Sequence, residues 1–596
     1  MKKQLPKRHE LDVKYTWDMT NLFKKEELYI EAFDVVEHDV DLFCAKYENK
    51  LHSKELINEA LTAFQDIQAR LTKIGAYSSL QASSDSISEE NQMRQGKAMI
   101  RFQSISKKVA FLTNELKQVD NEVLLAAAEL SDDNRYYLKD LIEDKNHTLI
   151  PEVEKTLVAL SPVLNASYVN YNRFKLADMK FNDFLVDGIT YPNSFTLFEN
   201  EYEHDVNTLV RRNAYETFYQ KLSEYQHGFA SNYQAHVQKE KIMSELRGYP
   251  SVFDYLLHDQ KVSKDFMDRQ IDLIMEKLAP AMRKYALLLK KVHGLDKLTY
   301  ADLKIPVDPT FEPKVSIEES KRLLIEGLSV LGSEYNQIVS RAFEERWIDF
   351  PQSLGKSTGG FCSSPYGSTS YILINWNGQM DEVMVLAHEI GHAGHFQYAN
   401  ANQSILNTRP SMYFIEAPST TNELLMANHL IKNAKSKREK TWLQSVMISR
   451  TYYHNFVTHL LEAAFQREVY NKVDSLQPLS AHILKNIKLD VLKKFWGDAV
   501  EIPEWAGLTW MRQPHYFMGL YPYTYSAGLT LGTKVSRLIE NKEILPQDWI
   551  NVLKAGGTKT PLELAKMVGV DLTTDTTLCE VIEEISAIIE DIIANQ

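Results

Sequence analysis

The sequence predicts a mainly α-helical protein that carries a small β-sheet. Apolar residues recur three and four positions apart over long stretches, at about residues 26–172, 205–292 and 381–493, which is the period of an amphipathic helix. The period changes to that of strands over short segments, the longest at residues 355–377. Isoleucines at residues 585–593 form a last helical stripe, which we interpret as core rather than as a membrane or partner surface.

Two breaks interrupt the helical pattern. At residues 184–193 an Asp-Gly pair stands between β-type residues, which predicts a hairpin. Three prolines at residues 304–313 exclude a helix there. We place a boundary at the hairpin, which gives an amino-terminal helical domain at residues 1–190 and a catalytic domain at residues 191–596.

Two strands are predicted directly before the helix that carries the most informative motif of the chain. Residues 359–363 and 370–376 are rich in β-type side chains, and residues 364–367 form the loop between them. The second strand has two alternative roles. It either belongs to the scaffold or pairs with an extended peptide backbone held beside the neighbouring helix.

Composition excludes several classes of protein. The 596 residues are 44% hydrophobic and 25% charged, as in an ordinary globular protein, and the net charge of -13 argues against a nucleic-acid surface. The three cysteines lack metal-ligand spacing, so disulfides and cysteine zinc sites are not expected. No run of 18 apolar residues occurs. We therefore expect a cytoplasmic protein without nucleic-acid or membrane partners; the oligomeric state stays open.

The motif is the five-residue segment His388-Glu389-Ile390-Gly391-His392. On a helix, His388 and His392 lie on one face, where both imidazoles can reach a single ion, and Glu389 is close enough to hold a water bound to that ion. This geometry is typical of a zinc hydrolase, in which the carboxylate takes the proton of the water. A glycine inside such a helix costs about 1 kcal/mol relative to alanine, which suggests close packing against Gly391.

A catalytic zinc site needs a third protein ligand. A third histidine on the same helix would require glycine at position 395 and histidine at 398, but the chain has His395 and Tyr398, so that class is rejected. His395 lies about 10 Å along the axis from His388, too far for the same ion. We expect it to be a hydrogen-bonding histidine, either in the core or supporting the metal ligands from behind, rather than a ligand itself.

A glutamate from a second helix is the alternative, and Glu416 and Glu423 are the candidates. Pro418 fits only the first turn of a helix, which puts Glu416 at the start of that helix. Glu423 lies two turns further on the same face, where it could orient a ligating histidine. Spacing favours Glu416 as the ligand over Glu423.

Together, the segments 388–395 and Glu416-Ala417-Pro418-Ser419 resemble the thimet-oligopeptidase-like zinc peptidases, most closely their bacterial oligoendopeptidase F branch. The resemblance extends over nearly the full chain. It implies a helical ellipsoid divided by a deep substrate channel, with a small β-sheet beside the zinc-binding helix. It also implies that one zinc ion per chain is held by His388, His392 and Glu416, with Glu389 as the general base.

A tyrosine-rich segment continues the resemblance, which implies that His515 and nearby tyrosines serve the reaction. Neutral tyrosine and histidine side chains can donate hydrogen bonds to an oxyanion. Tyr521 and Tyr525 are the preferred donors and Tyr523 is an alternative, while Pro522 is expected to interrupt any helix here.

We therefore predict a zinc endopeptidase that hydrolyses oligopeptides by metal-activated water. A helical metallo-carboxypeptidase or peptidyl dipeptidase is an alternative, and it would need a cation such as Arg450 or Arg512 to hold the substrate terminus. A peptide-binding protein whose metal motif is vestigial is the non-enzyme alternative.

Overall fold

A computed structural model describes residues 5–596, apart from the side chains of residues 176 and 177. Within these residues the chain forms 23 α-helices and five short strands. The prediction of a mainly helical fold with a small sheet is confirmed. Residues 1–4 of the predicted amino-terminal domain lie outside the described part.

The first five helices pack around a core of their own. Apolar residues such as Phe33, Val36, Val40 and Phe43 fall on one helical face and are buried together. Serines at the starts of the second and third helices accept backbone hydrogen bonds and so cap them. These helices are α1 (Glu26–Tyr47), α2 (Lys54–Ser84), α3 (Glu89–Leu116), α4 (Asn121–Leu130) and α5 (Asp132–Asp144).

The predicted hairpin follows two further helices. Strands β1 (Phe184–Val186) and β2 (Ile189–Tyr191) pair antiparallel, and Asp187 and Gly188 of the turn both have positive φ, as a two-residue hairpin turn requires. The hairpin packs on a second, larger core that runs from Tyr171 to Ile592. The helices before it are α6 (Pro151–Leu164) and α7 (Ala166–Arg173). The division into domains at residue 190 stays a prediction.

The next group of helices leads to the sheet. Residues 304–313 form no helix among the described residues, as the three prolines predict. The helices of this group are α8 (Phe195–Asn200), α9 (Thr208–Leu246), α10 (Val252–His258), α11 (Lys264–Leu273), α12 (Ala279–Val292), α13 (Ile317–Gly327) and α14 (Ser333–Glu344).

The small sheet has three strands in the order β3-β5-β4. Strands β4 (Phe361–Ser363) and β5 (Tyr371–Leu373) are the two predicted strands and pair antiparallel. Strand β3 (Ile348–Asp349) adds a parallel neighbour on the other side of β5. Both edges of β5 are paired, so this strand has no free backbone groups to bind an extended peptide. Of its two alternative roles, only the scaffold role fits this position.

The remaining helices contain the motif residues and complete the larger core. Ile585, Ile589 and Ile592 of the last helix are fully buried, so the interpretation of this stripe as core is confirmed. Within residues 5–596 no helix combines the length and apolar character that crossing a bilayer requires. These helices are α15 (Asp381–Asn402), α16 (Ala417–Lys432), α17 (Lys437–Val446), α18 (His459–Asp474), α19 (Ala481–Trp496), α20 (Pro522–Glu540), α21 (Pro546–Ala555), α22 (Pro561–Lys566) and α23 (Asp575–Ala594), and a π-helical segment (Met447–Thr458) joins α17 to α18.

Helix α16 lies between α15 and α20 and touches both at glycines. A β-carbon on Gly391 of α15 would lie 2.5 Å from Cα of Ser419, and one on Gly528 of α20 would lie 2.7 Å from Cβ of Glu416. Both distances are shorter than any normal contact, so glycine is required for this approach. The close packing that the sequence suggested at Gly391 is confirmed.

A segment near the amino terminus is bound to the same sheet. The guanidinium of Arg8 pairs with the buried carboxylate of Asp349 in β3, which also accepts from Lys356 at 2.7 Å. The ring of Trp17 packs on that of Tyr371 in β5, with centroids 6.2 Å apart. The amino-terminal segment is thus attached to two strands of the sheet beside α15.

Candidate metal centre and active site

Three predicted ligands converge between α15 and α16. The Nε2 atoms of His388 and His392 lie 3.4 Å and 3.3 Å from Oε2 of Glu416, and the three ligand atoms are all within 4.8 Å of one another. The two rings stand at 83° to each other, as side chains one helical turn apart can when they face a common point. Two imidazoles and one carboxylate form a donor set that fits zinc and leaves a fourth position open.

Glu416 reaches the histidines because it precedes the first turn of α16. Pro418 occupies the second position of that helix, as the sequence predicted. The hydroxyl of Ser419 donates to Oε2 of Glu416 at 3.0 Å and so fixes the carboxylate. Burial would raise the pKa of Glu416, but the imidazoles of His392 and His388 outweigh it and hold that pKa well below its usual range.

Glu423 binds the other side of His388. Nδ1 of His388 donates to Oε2 of Glu423 at 3.1 Å, and the hydroxyl of Thr451 donates to Oε1 of the same carboxylate. This bond places the ring proton on Nδ1 and leaves the lone pair of Nε2 free to bind a metal. Glu423 therefore lies where an orienting residue would be expected, outside the group of three converging atoms.

The carboxylate of Glu389 is buried next to these ligands. Its Oε2 has no hydrogen-bond partner in the described part of the chain, and a β-carbon on Gly360 would come within 3.1 Å of its Oε1. Burial raises the pKa of Glu389, which the imidazoles of His388 and His392 oppose. A carboxylate that is poorly solvated and lacks a partner is suited to take a proton from a bound water.

His515, Tyr521 and Tyr525, which the resemblance implies serve the reaction, form one cluster. The ring of His515 lies 5.5 Å from that of Tyr521 and 5.6 Å from that of Tyr525. Burial and the charge of Glu416 raise the pKa of Tyr521 to about 12, and burial likewise raises the pKa of Tyr525. Both hydroxyls keep their protons near neutral pH and can donate hydrogen bonds.

The expectation that Pro522 interrupts a helix here is wrong, because α20 begins at this residue. Proline is well tolerated in the first turn of a helix, where its missing N–H would have no partner. The helix places Tyr521 and Tyr525 on one face and Tyr523 on another. Tyr523 is buried and its hydroxyl donates to Gln260 at 2.5 Å, so the structure places this alternative donor in the core, away from the cluster.

Sequence reasoning missed two buried residues of α18 behind this cluster. The ring of His459 stacks on that of Tyr525, with centroids 4.0 Å apart, and its Nδ1 donates to Oε2 of Glu462 at 2.8 Å. The same carboxylate oxygen lies 3.8 Å from Nδ1 of His515. Glu462 and His459 thus contact both parts of the cluster. A histidine and a glutamate three residues apart in the otherwise apolar segment 459–465 were the available signal.

His395 is a core residue, but the predicted hydrogen bond is absent from the described residues. Its ring is fully buried against Phe396 and Phe414, and neither ring nitrogen has a partner among them. Burial lowers its pKa to about 3, so the ring is neutral at physiological pH. The rings of Phe396 and Phe414, which pack against it, offer no hydrogen-bonding atoms.

The two arginines considered for an exopeptidase are already paired. Arg450 pairs with Asp381 at 2.5 Å. Arg512 is buried and pairs with Glu199 and Glu203 at 3.1 Å and 2.7 Å. Both guanidinium groups therefore have carboxylate partners within the protein.

The fold and the site define a metallopeptidase of the H-E-x-x-H type. The profile of Peptidase family M3 matches residues 202–584, and that of Oligopeptidase F matches residues 115–181. The chain belongs to peptidase family M3. This confirms the predicted resemblance and the prediction of an oligopeptide-hydrolysing metallopeptidase.

Two relatives that this chain matches over most of their length are named as oligopeptidases. The chain is 28% identical to oligopeptidase PepF of Bacillus subtilis over 98% of its own length and 88% of that protein. It is 25% identical to an oligoendopeptidase F homolog of Borreliella burgdorferi over 96% of each chain.

Solved structures share the fold. A protein of Chlamydophila abortus classed as a peptidase superposes with a TM-score of 0.83 at 22% identity, covering 98% of this chain and 100% of the other. The oligoendopeptidase F of Enterococcus faecium gives a TM-score of 0.75 at 19% identity, covering 96% and 99%.

Proposed function

We propose that this metallopeptidase is a zinc-dependent endopeptidase in which His388, His392 and Glu416 bind one zinc ion. The convergence of two Nε2 atoms and one carboxylate oxygen within 4.8 Å carries the proposal. Zinc is the metal that this donor set suits best. When bound, it would supply a Lewis acid that lowers the pKa of a water molecule.

The residues around the ligands have distinct roles in this proposal. Glu389 takes the proton of the attacking water and delivers it to the amine that leaves, for which its raised pKa is suited. His515, Tyr521 and Tyr525 donate to the oxygen on which negative charge develops. Glu423 holds His388 in the tautomer that leaves Nε2 free.

We propose oligopeptides as substrates, cut within the chain rather than at an end. The family supports peptide substrates, and the channel that the family resemblance implies would exclude folded proteins. Of the two cations that we considered for an exopeptidase, Arg512 is buried and held by Glu199 and Glu203, so it is not free to bind a substrate terminus. We also propose a cytoplasmic location, which the three free cysteines support.

The replacement Glu389→Gln tests the chemistry separately from metal binding. We expect the variant to retain one zinc per chain while kcat falls by about 10² to 10⁴, the usual contribution of a general base. Glu416→Gln should instead lose the metal. Zinc content by atomic absorption and cleavage of a quenched fluorescent peptide provide the two measurements.

Two outcomes would contradict the proposal. Retention of wild-type activity in Glu389→Gln would exclude this residue as the base. A wild-type chain without stoichiometric zinc and without chelator-sensitive cleavage would support the vestigial-motif alternative instead.

A further inference from the structure

A cavity of about 60 Å³ lies beside Glu462 of α18. A cavity needs about 10–15 Å³ to hold one water molecule, so this one has room for a small chemical group. Glu462, whose carboxylate faces His515, forms part of its wall, and so does Gln513, two residues before His515. The cavity therefore adjoins the proposed active site.

Three of the four cations in its wall are matched by carboxylates of the protein. Arg211 pairs with Asp302 at 2.5 Å. Arg512 and Lys304 share Glu203, at 2.7 Å and 2.6 Å. Glu199 is a further partner of Arg512, at 3.1 Å. Carboxylate partners of this kind allow basic residues to be buried together.

The fourth cation, Lys488 of α19, has no carboxylate partner of this kind among the described residues. It is 3% exposed, and in the described structure its ammonium donates only to the carbonyl oxygen of Leu461, at 3.2 Å. An ammonium offers three donors, so two remain unused. Burial lowers the pKa of Lys488 to about 8, against the charge of Glu462, which leaves the group mostly protonated at pH 7.

A second donor in the wall is also unused. The hydroxyl of Tyr215, on a residue that is 7% exposed, has no hydrogen-bond partner in the described part of the chain. Buried donors without partners are costly, and they are commonly satisfied by a ligand or ordered water. The carboxylate of Glu462 stands in the same wall and repels any anion, and this repulsion grows with the charge of the ligand, so a singly charged ligand is disfavoured least.

We propose that this cavity binds a carboxylate group, with the ammonium of Lys488 as its charge partner and the hydroxyl of Tyr215 as a further donor. The carboxylate is either the free carboxyl terminus of a short peptide whose cleaved bond lies several residues before that end, a source that rests on the proposed endopeptidase function, or that of a small free acid. A carboxylate has the single charge that the unpaired ammonium requires, and its oxygens accept both donors.

The first test compares one peptide with a free carboxyl terminus and the same peptide as its terminal amide. If the peptide supplies the carboxylate, we expect the wild-type KM to be about tenfold lower for the free acid, the usual size of one charged hydrogen bond. Lys488→Met should remove this preference and leave kcat for the amide unchanged, while Lys488→Arg should keep part of it. Lys493→Met removes an exposed charge from the same helix and serves as the matched control.

The second test needs no catalysis. Saturation-transfer NMR of acetate should show binding to the wild-type enzyme and to Lys493→Met, and loss of binding in Lys488→Met. Acetate binding that Lys488→Met loses, without a preference between the two peptides, identifies a small free acid as the ligand. Acetate binding to a chain that cleaves no peptide keeps this site while refuting the peptidase proposal.

Equal KM values for the two peptides, together with no acetate signal from the wild-type enzyme, would overturn the inference. Both measurements use the wild-type chain, so this outcome does not depend on whether Lys488→Met folds. An acetate signal that Lys488→Met retains in full, with the peptides equal, would also overturn it.

Discussion

Replacing Gly391 by alanine tests how closely α15 must approach α16. The new β-carbon would lie 2.5 Å from Cα of Ser419 and 2.7 Å from the carbonyl oxygen of Pro418. Carbon atoms in contact normally stay about 3.5–4.0 Å apart, so the two helices would have to separate by about 1 Å. The obstacle is backbone, which cannot turn aside as a side chain can.

The effect on folding should be modest and the effect on metal binding large. Overpacking costs about 1–3 kcal/mol, while alanine is favoured over glycine in a helix by about 1 kcal/mol, so the net destabilisation is about 0–2 kcal/mol. Glu416 would move with Pro418 and Ser419, although ligand distances at a metal tolerate only about 0.2 Å. We therefore expect zinc affinity to fall at least tenfold, or about 1.4 kcal/mol.

Competition with a chromogenic chelator measures this affinity, and thermal unfolding of the metal-free forms measures the folding effect. Gly96→Ala is the control, because this exposed glycine of α3 has nothing within 4 Å of the new β-carbon. It should bind zinc like the wild type and gain up to about 1 kcal/mol in stability. If Gly391→Ala also bound zinc like the wild type, the reasoning that this contact positions Glu416 would be refuted.

Three further outcomes are expected. Tyr525→Phe should lower kcat by about 10² to 10³ at unchanged zinc content. Tyr523→Phe should leave kcat unchanged, because the hydroxyl that it removes lies in the core. Equal losses in the two variants would remove Tyr525 from the proposed chemistry. Glu423→Ala should weaken zinc binding about 10- to 100-fold in chelator competition, through the lost orientation of His388, and an unchanged affinity would contradict that role. Burial lowers the pKa of His395 from 6.5 to about 3. Below about pH 6.5 the unfolded chain therefore binds a proton that the folded chain does not, and the free energy of unfolding should be lower by about 2 kcal/mol at pH 5 than at neutral pH. Denaturant unfolding of His395→Phe at both pH values should show this difference removed, and its persistence would exclude His395 as the cause.

The convergence of the three proposed metal ligands could be predicted because local rules determine their positions. The spacing of His388 and His392 places both on one face of a helix, and Pro418 restricts the start of the next helix to the neighbourhood of Glu416. The same periodicity separates Tyr521 and Tyr525 from Tyr523 once the helix is known to begin at Pro522. Reading this proline as a helix breaker rather than as a first-turn residue hid that distinction.

Other parts of the site depend on contacts that no local pattern encodes. The twelve-residue π-helical segment (Met447–Thr458) precedes α18, and its wider turns shift the helical face that a period of 3.6 would predict for His459 and Glu462. Strand β3 has only two residues, too few for a periodic signal, yet its pairing makes β5 a central strand. The sequence around Lys488 does not distinguish it from an exposed helix lysine, and only the packing of other elements around it shows that it is buried.

The attachment of Arg8 and Trp17 to the sheet has a practical consequence for the integrity of the enzyme. A protease cut between residue 22 and α1 would sever the backbone but not the ion pair with Asp349 or the contact with Tyr371. Backbone hydrogen bonds from Phe350 to Tyr15 and from Asp18 to Arg346 would hold the fragment as well. A nicked preparation would therefore be expected to purify as one species and to separate into two fragments only under denaturing conditions.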